Sequence, residues 1–282
     1  MITHEEFIKK HNLKESDYYQ ENGWLYILNL KKEELSRSVI KDLPSKIKFT
    51  KDCNSYIILS KNIKKTPPDV IFNNKGCVRI LYVEEISENV IFNNDGNLYL
   101  GEDVNYKNYN YNLGKLKKIH PSVKFTNNGY IYFSNIINKI PSEIVFNNIG
   151  DISIYYVKEI SENVTFENDG NLFLGQLEKV HPSVKFINKG NINFDFYVNK
   201  IPKGMIFNNN GNVYTSIDME YISEDVIFNN EGDVILNPHK KPVFSKGVKF
   251  NNKGNVVNIP INIPEFLDPK KYLNKMIEQI YK

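Results

Sequence analysis

The residues whose types could do chemistry are two histidines, two cysteines and a recurring glutamate. His120 and His181 each open an H-P-S-V-K-F segment at the same place in a tandem repeat, three repeats apart. At about 4.8 Å per stacked coil that is roughly 14 Å, beyond the reach of one shared metal ion. Cys53 and Cys77 fall at different repeat positions, so they give no disulfide framework, and a reducing, cytoplasmic setting is the default expectation. Glu88, Glu162 and Glu224 could form an acid row of the kind that cleaves polysaccharides, but they recur with a duplication and fall at a turn. H-E-x-x-H, C-x-x-C, G-x-S-x-G and the phosphate-binding glycine loop are all absent. The chain reads as non-enzymatic, with no catalytic residue, no metal site and no cofactor.

Aromatic and basic side chains offer binding chemistry instead. Tyr99, Tyr132, Phe173 and Tyr214 share one repeat position, seven residues after a marker phenylalanine, that should face outward between two inward residues. Stacked, they would form a discontinuous aromatic stripe, the material of protein-binding hot spots. The competing reading is strand propensity alone, since aromatics suit strands. A segment at 102–114 (EDVNYKNYNYNLG) interrupts the array and carries Tyr106, Tyr109 and Tyr111 among asparagines, resembling an antibody-like contact loop. It runs into Lys115, Lys117 and Lys118, and tyrosines interleaved with lysines could also stack on and neutralise single-stranded nucleic acid. A second basic cluster contains His239, Lys240, Lys241, Lys246, Lys249 and Lys253, but acidic residues punctuate the coils between the two. Net charge is only +3, weak support for a nucleic-acid partner.

These groups must be positioned by the repeat itself. The pattern I-[PSH]-x-x-V-x-F-N-N-x-G-x-V-x-L returns with its aromatic marker at Phe72, Phe92, Phe125, Phe146, Phe166, Phe186, Phe207, Phe228 and Phe250, with Phe49 as a degenerate first copy. From Phe72 to Phe250 the spacings are 20 to 22 residues except for 33 across the insertion. Such periods mean stacked coils that bury one another's hydrophobic faces. Counting from the phenylalanine, apolar residues at −2 and 0 and at +6 and +8 give the period-two signature of two short strands per coil. Glycine at +4 suggests a corner with positive φ. Asparagine at +2, from Asn74 to Asn252, suggests a ladder that caps turn backbone along the stack. Ile86 and its equivalents, six residues before the phenylalanine, suggest a second corner.

At the N-terminus Thr3-x-x-Glu6 reads as a capping box opening a short helix, followed by a strand at 24–30 and a second short helix at 31–37. Pro269 begins a final helix with Leu273, Met276, Ile277 and Ile280 on one face. The expected organisation is an α/β cap at 1–42, a repeat solenoid at 43–264 and a helical cap at 265–282. Residues 1–10 (MITHEEFIKK) are polar and charged, with no apolar run of signal-peptide type, and no apolar run in the sequence is long enough to span a membrane.

The I-P-x-x-V element resembles the L-P-x-x-L corner of bacterial leucine-rich repeats, and the whole unit looks still more like the F-N-N-x-G tandem repeats of phage and bacterial proteins. The resemblance covers 43–264. It departs from standard leucine-rich repeats because the asparagine and strand residues are out of register with L-x-x-L-x-L-x-x-N. The fold it implies, with the periodicity, is a mainly β, leucine-rich-repeat-like β-solenoid of about ten coils. The function it implies, by analogy, is a phage or mobile-element factor that occludes a host defence protein such as a CRISPR nuclease. A host or cellular protein is thus the expected partner. A single-stranded nucleic-acid binder and a structural or adhesive repeat protein remain as alternatives.

Overall fold

The computed structural model describes residues 1–30, 37–80, 82–101, 116–133, 137–175, 177–195, 198–236 and 242–257. The chain is mainly β, and its parallel strands form a β-solenoid of about nine turns with about 21 residues per turn. It divides into two compact units, one of residues 1–137 and 146–150, the other of residues 138–145 and 151–282.

In the first unit, strands Trp24–Ile27, Ile47–Phe49, Val70–Phe72, Ile91–Phe92 and Lys124–Phe125 pair in parallel register, phenylalanine beside phenylalanine from Phe49 to Phe125. Antiparallel Tyr18–Glu21 covers the open edge of Trp24–Ile27. A second sheet runs through Arg37–Ile40, Tyr56–Leu59, Val78–Ile80, Leu98–Leu100 and Ile131–Phe133. The ladders therefore begin inside the segment read as a cap, and Arg37 starts a strand where a helix is expected; 31–36 lie outside the described residues. The second unit repeats the plan, with Thr165–Phe166 to Lys249–Phe250 in one sheet and Ile152–Ile154 to Val256–Val257 in the other.

Each regular coil carries a third strand that the periodicity does not give. What reads as a second corner is a two-residue parallel strand, as in Glu85–Ile86 beside Lys118–Ile119 or Lys139–Ile140 beside Glu159–Ile160. Two residues are too few for period-two alternation to register, so only the inward isoleucine shows in the sequence.

The core is a column of like residues. Phe49, Phe72, Phe92, Phe125 and Phe146 are fully buried, with centroids 4.9 to 5.4 Å apart and the first three rings within 7° of parallel. Phe166 to Phe250 repeat this at 5.0 to 5.4 Å. The +2 asparagines are buried as expected. Asn94 Nδ2 donates to the Gly96 carbonyl at 2.6 Å, and Asn148 Nδ2 donates to its own coil's Gly150 at 2.7 Å and to the previous coil's Gly129 at 3.1 Å. These amides satisfy turn carbonyls, whereas the Asn127 amide finds no hydrogen-bond partner among the described residues.

The +4 glycines correct the expectation. None of them has positive φ; among the described residues the left-handed glycines are Gly23, Gly101, Gly204 and Gly247. Close stacking excludes a side chain instead: a Cβ at Gly190 would lie 2.6 Å from the Gly170 carbonyl carbon. Positive φ falls at position −3, on Lys46, Asp69, Asn89, Glu143, Asn163 and Asp225 as well as Gly204 and Gly247. Ser122 and Ser183 hold the same position without it. There the N–H donates to His120 Nδ1 at 3.2 Å and to His181 Nδ1 at 3.3 Å. The H-P-S histidines are corner caps.

The N-terminal helix His4–Lys10 has the Thr3/Glu6 capping box and buries Phe7. The C-terminal helix expected from Pro269 lies outside the described residues. Among the described residues no helix is long and apolar enough to cross a membrane.

Two substitutions separate the two glycine explanations. Glu143→Gly, which removes a left-handed glutamate (φ 64°), is expected to stabilise the chain by up to about 1 kcal/mol. Gly190→Ala is expected to cost about 2 kcal/mol through overpacking. Urea midpoints report both; a neutral Gly190→Ala would remove the close-stacking account.

Candidate partner-binding surface

The second sheet places the aromatic stripe. In Leu98–Leu100 and Ile131–Phe133 the outer residues are buried and the middle one half-buried, so position +7 faces outward as its spacing requires. Tyr99 pairs with Arg79 on one side and Tyr132 on the other. The Tyr99 and Tyr132 rings lie 6.4 Å apart, and Tyr130 stacks on Tyr132 at 6.4 Å. The Arg79 guanidinium sits over the Tyr56 ring at 5.4 Å and the Tyr99 ring at 4.7 Å. Tyr56, Arg79, Tyr99, Tyr132 and Tyr130 form one connected group on the outward face of the first unit.

In the second unit the stripe is sparser. Phe173 and Tyr214 are separated by Asn193, and Tyr155 packs against Phe173 at 5.8 Å. Ser153, at the equivalent place beside Phe173, is buried.

A ladder that sequence reasoning missed fixes these rings. At position +5 a side-chain oxygen accepts the backbone N–H of the same position one coil on. Asn97 Oδ1 takes Tyr130 N–H at 3.0 Å, Asp151 takes Asn171, Asn171 takes Asn191, Asn191 takes Asn212, Asn212 takes Asp233, and Asp233 takes Asn255. Asn97 and Asn212 use their remaining N–H to donate to Tyr99 Oη at 3.2 Å and Tyr214 Oη at 3.1 Å. Cys77 Sγ accepts the Asn97 N–H at 3.3 Å, which gives that thiol a structural place. Tyr130 and, by its strand register, Tyr56 also occupy +5. Period two puts +5 and +7 on one face, but the mixed residue types at +5 conceal the ladder in the sequence.

The insertion leaves both ladders in register, with Phe92 opposite Phe125 and Leu98 opposite Ile131. Its ends are held: Gly101 N–H donates to the Ile80 carbonyl at 3.0 Å, and Lys117 N–H donates to the Glu84 carbonyl at 2.8 Å. It therefore departs from the corner between the second-sheet strand Leu98–Leu100 and the third strand Lys118–Ile119, two residues past Tyr99. Tyr106, Tyr109, Tyr111 and Lys115 lie outside the described residues.

Lys117 and Lys118 are matched by acids. Lys117 Nζ lies 2.6 Å from Glu84, and Lys118 lies 3.5 Å from Glu85, which also meets Lys65 at 2.8 Å. Lys139 and Lys179 flank Glu159 in the same way, at 2.8 and 3.5 Å. Hydrogen bonds from Lys117, Lys65 and Lys139 respectively hold the carboxyls of Glu84, Glu85 and Glu159 below the usual range. Glu224 is engaged by Lys203 at 2.6 Å and is likewise depressed. Among the described residues no group of three or more His, Cys, Asp or Glu side chains could hold a metal ion.

No protein-family model, curated protein or solved structure matches the chain.

Because folding lowers these carboxyl values, their contribution is present above the unfolded value near 4.5 and is lost as pH falls through the folded values. Thermal stability should drop on acidification below that value. The triple variant Glu84→Gln, Glu85→Gln, Glu159→Gln should flatten the drop, and an unchanged pH profile would remove the ladder as its cause.

Proposed function

We propose that the chain is a non-enzymatic protein-binding solenoid that docks a partner through its outward aromatic face. The observation that carries this reading is the connected group Tyr56, Arg79, Tyr99, Tyr132 and Tyr130. Tyrosine and arginine are enriched in binding hot spots, tyrosine because it brings large contact area with few rotors and arginine because its planar fork makes directed, charged hydrogen bonds. The group lies two residues from the corner where the insertion bearing Tyr106, Tyr109 and Tyr111 departs, so both features can engage one partner. Phe173 and Tyr214 extend the same register position with less support. The partner is a host or cellular protein. By the likeness of the repeats to those of phage proteins, occlusion of a host defence protein is the form this binding takes.

The nucleic-acid alternative draws on Lys115, Lys117 and Lys118, and it is weakened because Lys117 and Lys118 sit against Glu84 and Glu85. Capture from source-cell lysate, with and without nuclease, separates the two. Tyr99→Ala with Tyr132→Ala, or deletion of 102–113, should lower capture of one nuclease-resistant protein about 30-fold or more, the loss of a hot spot of about 2 kcal/mol. Capture that survives both changes, or that vanishes with nuclease, would contradict the proposal.

A further inference from the structure

Only two of the 36 basic residues are arginine, Arg37 and Arg79. Arg79 occupies the outward position of Val78–Ile80, between a tyrosine of the preceding coil and a tyrosine of the following one. The ring centroids of Tyr56 and Tyr99 lie 5.4 and 4.7 Å from its guanidinium carbon. A guanidinium's N–H donors lie along its planar edge, which contacts to its faces do not use. Among the described residues no carboxylate stands within ion-pair distance of Arg79, and its Nε is buried without an acceptor. Around the third strand Glu85–Ile86 the opposite rule holds, where Lys64, Lys65, Lys117 and Lys118 all meet Glu84 or Glu85. Arg79 thus has no carboxylate partner among the described residues and has a tyrosine ring on each of the two neighbouring coils. Nε is shielded from water, and shielding strengthens a charge-assisted hydrogen bond made there.

We propose that Arg79 is an anion receptor whose guanidinium edge takes the carboxylate of an aspartate or glutamate on the partner protein, with Tyr56 and Tyr99 as its side walls. This rests on the docking reading above and gives that partner a chemistry: an acidic side chain presented to an aromatic surface. Lysine, a point charge with no planar fork and no faces for the rings, would not serve.

The full chain labelled with ¹⁵N-arginine gives two side-chain Nε–H resonances, which Arg37→Lys assigns. N-acetylglutamate amide should move the Arg79 resonance saturably, and the neutral probe N-acetylglutamine amide should bind at least about tenfold more weakly. Tyr99→Ala, which removes one wall, should weaken the response to the acid. An Arg79 resonance unmoved at roughly 100 mM acid, where even a very weak pair is populated, or an equal response to both probes, overturns the proposal. The titration needs no partner. A silent Arg79 alongside capture that still depends on Tyr99 and Tyr132 sinks the receptor alone. A responsive Arg79 alongside capture indifferent to those tyrosines sinks the docking reading, and with it the assignment of the anion to a partner protein.

Discussion

Parallel, in-register stacking is the constraint on which everything else depends. When coils repeat every 20 to 22 residues and strands lie about 4.8 Å apart, each residue's nearest neighbour is its own counterpart one coil away. A position can then hold only a residue that tolerates a copy of itself. Phenylalanine does so by stacking, and the +5 asparagines by an amide oxygen that accepts the backbone N–H of the next coil. Glycine does so by having no side chain to meet the carbonyl beneath it. Charged residues do not, and where Lys118 pairs with Glu85 or Glu159 with Lys179 the sign alternates along the ladder. The same rule explains why the insertion after Gly101 does no harm: it leaves at a corner, and Phe92 still finds Phe125.

Much of this is legible in the amino-acid sequence. The marker phenylalanines, the inward aliphatics at −2, +6 and +8 and the buried +2 asparagines follow from spacing and residue type. The Thr3/Glu6 capping box is legible for the same reason, being a local motif. What is not legible depends on contact between coils. The role of Gly190 cannot be told from residue type, because positive φ and close approach both demand glycine; only the position of the Gly170 carbonyl decides. Left-handed Lys46 and Glu143 give no compositional signal at all. The two-residue third strands are too short to show a period, and the +5 ladder hides among mixed Asn, Asp, Cys and Tyr.

The candidate site follows the same division. That Tyr99, Tyr132, Phe173 and Tyr214 share an outward register position can be read from the period. That Tyr99 and Tyr132 adjoin, while Asn193 separates Phe173 from Tyr214, is a matter of which coils are neighbours. Arg79 is visible as an outward residue, but its place between Tyr56 and Tyr99 requires the diagonal geometry of the sheet. On this outward face the like-on-like rule gives way to a mixed group, and a mixed group is what recognition of something other than another coil needs.

The claim that this group serves binding rather than folding can be tested on the isolated chain. Serine already occupies the equivalent position at Ser153, so Arg79→Ser, Tyr99→Ser and Tyr132→Ser together remove the cluster without an unsuitable backbone. The measurement is the urea unfolding free energy of that triple variant beside Phe92→Ala. The account predicts a loss below about 2 kcal/mol, the summed worth of exposed ring and cation contacts, against about 3–5 kcal/mol for the buried phenylalanine. A triple variant that loses as much as Phe92→Ala would make the cluster part of the scaffold and contradict its reading as a docking surface.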